Sequence, residues 1–193
     1  KYQKALFILD WSWGKIYATH LEPKGSSYAG DFELFLSGAP MPVTDAVINP
    51  DDGAMYFTIG GRRVQSGLYR VTYTGDEDTS PVNAKTSGQR ARNIRKSLEQ
   101  YHGIVDADAV KKAWRYLDHE DPFMRSAARI AIESQPSRTW ANRALKERSA
   151  SRQIPALLAL ARVEGIDPFH RKDSDPPVNK TLGEDIVNAL LSI

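Results

Sequence analysis

Apolar and polar positions alternate along residues 1–75 and recur at helical spacing from residue 98 onward, so the chain reads as two halves. In the first half the runs Ala5–Trp11, Lys15–Leu21, Phe32–Leu36, Val43–Ile48, Ala54–Ile59 and Leu68–Thr74 are rich in Val, Ile, Phe, Tyr and Thr, which predicts six strands. The segments between them, "EPKGSS", "SGAPMP", "NPDDG" and "GGRRVQSG", carry the Gly, Pro, Asn and Asp of turns. In the second half four apolar stripes predict helices. They are Ala109, Val110, Ala113, Trp114 and Leu117; Phe123, Ala127, Ile130 and Ala131; Ile154, Leu157, Leu158 and Ala161; and Leu182, Ile186, Val187 and Leu190. The stretch "GDEDTSPVNAKTSGQ" has no apolar period, and residues 76–97 are assigned to a linker.

Each half repeats itself. "ALFILDWSWGKIYATHLEPKG" lies over "AMYFTIGGRRVQSGLYRVTYTG", with Ala5 on Ala54, Phe7 on Tyr56, Ile8 on Phe57, Ile16 on Leu68 and Tyr17 on Tyr69. A hairpin that returns after about 50 residues falls in the range of propeller blades. In the second half "DHEDPFMRSAARIAIESQ" and "ASRQIPALLALARVEG" share small and apolar residues on one face, as stacked helix pairs do. The expected fold is α+β in separate domains: about one and a half blades of a β-propeller over 1–75, then a HEAT-like α-solenoid over 98–193. So small a piece of a propeller cannot close a ring, so a larger parent protein is expected, with the remainder of the propeller as partner. The abrupt entry of Lys1 into a strand, with no visible signal peptide, reads as a fragment or a processed chain.

Composition narrows the function classes. The chain is 41% hydrophobic and 26% charged, an ordinary globular balance. A net charge of +2 gives no global case for nucleic acid or an anionic membrane. The basic run Arg90–Gln100 reads as a solvated helix face, since no recognised nucleic-acid motif accompanies it. No apolar run is long enough for a membrane span. The absence of Cys excludes disulfides, thiolate metal sites, a catalytic Cys and a c-type haem motif within these residues. His20, His102, His119 and His170 are scattered, without metal-ligand spacing.

The sequence "DWSWGKIYATHLEP", the stretch "LSGAPMPVTDAVINPDDGAMYFTIGGRRVQSGLYRVTYTGDE" and the helix "YLDHEDPFMRSAARIAIE" together resemble planctomycete-type membrane-bound dehydrogenase proteins. These carry a glucose/sorbosone dehydrogenase-like β-propeller followed by HEAT-like repeats. The resemblance implies a fragment of an extracytoplasmic (periplasmic or cell-surface) sugar or alcohol dehydrogenase-like protein. It would contribute part of the propeller rim and a helical docking region. Pyrroloquinoline quinone and calcium are then expected as cofactors of the parent, a c-type cytochrome as electron acceptor, and carbohydrate as substrate. The alternative is a non-catalytic scaffold that binds glycan or protein. No residue matches the histidine base of the better-known quinone enzymes of that fold.

The blade reading places "WSWG" (Trp11–Gly14), "SGAPMP" (Ser37–Pro42) and "GGRRVQSG" (Gly60–Gly67) on one face, and so gathers Trp11, Trp13, Arg62, Arg63 and Gln65 around one rim. Arg62 and Arg63 offer planar forks for carboxylates or phosphates, or else pair with acidic neighbours. Asp45 in "VTDAV" is a candidate for calcium or a sugar hydroxyl, or else ties neighbouring strands together. Trp11 and Trp13 are suited to stacking on a sugar or flat cofactor, or else to packing; alternating about Ser12, they need not share a face. Asp10 beside them is a lone carboxylate without a matched partner.

Overall fold

The computed structural model describes residues 2–61, 63–80, 82–83, 87–165, 169, 172–174 and 177–193. The chain divides into two compact units, one of residues 1–24 and 28–87, the other of residues 25–27 and 88–193.

The first unit is two antiparallel three-stranded meanders. β1 (Ala5–Asp10), β2 (Lys15–Lys24) and β3 (Ser27–Ser37) form one sheet in chain order, and β4 (Val43–Ile48), β5 (Met55–Gly61) and β6 (Val64–Val71) form the other. Ala5 faces His20 and Asp10 faces Lys15, leaving Trp11–Gly14 as the corner between β1 and β2. In the second sheet Ile48 faces Met55 and Met55 faces Val71, with register shifts after Val43 and Ile59. Side chains alternate across a pleated strand. Hence Phe7 and Leu9 turn inward with Ile16 and Phe35 to meet Val43, Phe57 and Ile59 of the second sheet. Leu6, Ile8, Phe32 and Leu34 are left exposed.

The second unit contains α1 (Gln89–Glu99), α2 (Ala109–Trp114), α3 (Pro122–Glu133), α4 (Ala141–Leu145), α5 (Ala150–Glu164) and α6 (Lys180–Leu191), with a 3-10 turn at Ser137–Thr139. α3 packs on α1, α2 and α5. Its Asp121 cap accepts the Phe123 and Met124 N–H groups, and Pro122 opens the helix. Ala127, Ala128 and Ala131 are buried, and their small side chains let neighbouring helices approach. Trp114 and Trp140 fill the remaining core, and each buried indole N–H is satisfied, by Glu147 and by the Gln135 carbonyl. The buried Gln135 side chain donates to Ile104 O and Ala131 O and accepts the Asp106 N–H, holding the loop before α2.

These facts correct the propeller-and-solenoid expectation. The described residues form two three-stranded antiparallel sheets and six helices, a mixed α+β architecture, with neither a propeller nor a HEAT-like solenoid. A propeller blade has four strands, whereas each sheet here has three. The repeat arose because any two antiparallel hairpins with one apolar face share the same alternation. A solenoid stacks similar repeats that touch only their neighbours. Here the helices range from 5 to 15 residues and gather around one shared core. The expected partner, the remainder of a propeller, is withdrawn with that fold.

Local differences have physical causes too. Most of α1 lies within the span read as linker, because its helix is mostly polar and buries only Arg92 and Leu98. Ile154 and Leu158 are about half exposed, while Ala156, Leu157, Ala159 and Leu160 are buried. Here two alanines share the packed face with Leu157 and Leu160, and an apolar side chain alone does not mark it.

Gln135→Leu leaves the Ile104 carbonyl and the Asp106 N–H without their buried partner. It is expected to destabilise the helical unit by about 1–3 kcal/mol in denaturant unfolding followed by circular dichroism. Glu147 gives a pH signature. The hydrogen bond from the Trp114 indole, helped by the Ser149 and Arg148 N–H groups, outweighs burial and holds its carboxyl below the ordinary glutamate value. A lowered folded-state pKa means stability that is present above the ordinary value and lost as pH falls through the folded one. Glu147→Gln is expected to remove that part of the acid-side decline in thermal-melt series, and an unchanged slope would count against it.

Candidate functional site

Three loops of the β-rich unit meet, and backbone groups do most of the joining. Gly38 N–H donates to Gly14 O at 3.0 Å, Gly60 N–H donates to Pro42 O at 3.0 Å, and the Trp11 indole N–H donates to Gly60 O at 3.0 Å. Each loop is thereby tied to the other two. Glycine is required at the first tie. Gly14 has φ of 62°, in the left-handed region, and a Cβ there would lie 2.5 Å from Gly38 O. Trp11 also lies over Gly61, where a Cβ would come within 3.3 Å of the indole ring.

The joined loops enclose an open cleft of about 280 Å³, lined by Trp11–Gly14, Gly38–Pro42, Gly61 and Val64. Buried Met41 forms part of its wall. The Trp13 N–H donates to Asp10 Oδ1 at 3.0 Å, which fixes the corner while the Trp13 side chain stands 76% exposed. The two tryptophans therefore divide their roles: Trp11 binds the loops together and Trp13 presents its ring to solvent beside the cleft.

The other expected site residues do not join them. Asp45 is exposed on β4, outside the cleft lining, and its Oδ1 accepts the N–H of Ala46. Gln65 is exposed on β6 and does not line the cleft. Arg63 is exposed at the β5–β6 turn with φ of 65°, in the left-handed region, and also stays off the lining. Arg62 lies outside the described residues. The expectation that the three loops share one face agrees with the cleft, but only the tryptophans among the described candidates line it. Met41, Pro40 and Pro42 were not singled out in the sequence, although their Pro-rich loop was placed at the rim.

The described cleft lining contains no histidine, lysine, arginine or carboxylate. Among the described residues no group of three His, Asp or Glu side chains is placed to hold a metal ion. His20 meets Glu33, His102 meets Ala127 O, and His119 accepts the Asp121 N–H. His170 lies outside the described residues. Calcium requires several oxygen ligands. Asp45 stands apart from the cleft, so the described residues do not by themselves assemble a calcium site. Among the described residues, no helix is long and apolar enough to cross a membrane.

No protein-family model matches the chain, and no curated protein or solved structure matches it significantly.

Trp11→Ala removes a half-buried ring and the indole bond to Gly60. It is expected to destabilise the β-rich unit by about 2 kcal/mol or more in denaturant unfolding. Trp13→Ala at the exposed position is expected to change stability by less than ~0.5 kcal/mol. Equal effects of the two would refute the division of roles.

Proposed function

We propose that the β-rich unit is a non-catalytic carbohydrate-recognition element, working within a larger extracytoplasmic protein whose helical portion serves for docking. The single observation that carries this reading is Trp13, an exposed indole held by its own backbone at the edge of an open cleft whose described lining is uncharged. A sugar ring has an apolar C–H face and a polar hydroxyl rim. An exposed indole covers the first, and Ser12 with nearby backbone groups can meet the second. Of the described lining, no side chain can move a proton near neutral pH. The cleft is thus equipped for recognition, and an oxidoreductase role would place its chemistry on other parts of a larger protein.

The test is calorimetric titration of the chain with a panel of neutral mono- and oligosaccharides. At least one neutral saccharide is expected to bind, and Trp13→Ala to weaken it at least tenfold while secondary structure is retained. Trp13→Phe should recover part of the loss, because the aromatic face is kept. Binding that is unchanged in Trp13→Ala, or no binding across the panel, would overturn the reading.

A further inference from the structure

The helical unit carries an open basin near α4, of about 510 Å³, lined by Thr139, Asn142, Arg143, Lys146, Glu147 and Arg148. Arg143, Lys146 and Arg148 are exposed. None of the three forms an ion pair among the described residues. Several other cations of the same unit are matched, Arg129 and Arg162 to Glu133, Arg152 to Asp118 and Arg95 to Glu99, and what sets these three apart from the remaining unpaired ones is that they line one concavity. Three unpaired cations in one concavity keep a positive field that a surface pair would cancel.

Two further contacts organise the basin. The Arg143 guanidinium lies 4.1 Å from the centre of the Trp114 ring, so its position is set from below by a buried indole. The single carboxylate on the lining is turned to other work. Glu147 Oε2 accepts the Trp114 indole N–H at 2.7 Å, and Oε1 accepts the Arg148 and Ser149 backbone N–H groups. Those bonds occupy both carboxylate oxygens, so Glu147 makes no ion pair with Arg143 or Lys146, although its charge still acts on Arg143. Asn142 and the Thr139 hydroxyl add neutral hydrogen-bonding groups to the rim.

The geometry points to a binding site for a polyvalent oxyanion of the phosphate or sulfate class, free or as an ester, with the Arg143 fork as its central contact and Lys146 and Arg148 as flanking charges. A guanidinium donates two parallel N–H bonds to such an anion, and an ammonium supplies charge without that fixed fork. This site is independent of the carbohydrate reading.

The experiment is an NMR titration of the whole chain at low ionic strength, with inorganic pyrophosphate and inorganic sulfate as separate probes and acetate as control. A saturable shift of the Trp114 indole N–H resonance is expected with at least one polyvalent anion and not with acetate. Which of the two binds tighter separates a phosphate source from a sulfate source. Lys146→Gln/Arg148→Gln changes only exposed side chains and is expected to weaken binding at least tenfold with an unchanged thermal midpoint. Arg143→Lys keeps the charge but loses the fork, and about tenfold weakening is expected, since a hydrogen bond to a charged group is worth about one such factor. No saturable shift with either anion, an equal shift with acetate, or undiminished affinity in the Lys146/Arg148 double variant would overturn the proposal.

Discussion

The triangle of hydrogen bonds among Gly14, Gly38, Pro42, Gly60 and the Trp11 indole is the constraint on which the β-rich unit turns. Without it, two three-stranded meanders would share an apolar seam but have no fixed end. Three-stranded sheets are near the lower limit of independent stability, and their apolar packing is non-directional. The triangle supplies the direction. It also explains why the corner tolerates so exposed a ring as Trp13: the loop is held by backbone groups and by Trp11, so Trp13 is not needed for cohesion.

The helical unit meets the same need for order by burying polar groups together with their partners. Trp114, Trp140 and Gln135 all carry polar atoms into the core, and all three are satisfied. Buried polar groups that are fully paired restrict the arrangements a core can adopt. Around them alanines allow the backbones of α3 and α5 to come close, and this close packing offsets the shortness of α2 and α4.

The strands were legible because alternation is a local property. Val43–Ile48 was read with the bounds it has, and β1 began at Ala5 as expected. Grouping "WSWG", "SGAPMP" and "GGRRVQSG" was also legible, since two similar hairpins must put equivalent turns on equivalent ends. The architecture was not, because the same alternation serves a blade or a simple meander, and only the strand number decides. Arg63, Gln65 and Asp45 were selected for chemical versatility, but side-chain direction in a bulged, tightly turned segment is set by register, and that cannot be read from spacing. The basic lining around Arg143 was missed for a different reason: its significance lies in the absence of ion-pair partners, a property that exists only once the chain has folded.

A cleft whose frame is made of carbonyl and amide groups has a consequence for how it can vary. The groups that join the loops are almost all main chain, fixed by two glycine-dependent approaches and one indole. The side chains of Ser12 and Trp13 on the lining take no part in those three bonds. The frame is therefore separable from its lining. Mutational drift can change the side chains the corner presents by exchanging those two residues while the loop geometry is inherited intact, and the same separability makes the corner a natural scaffold for selection.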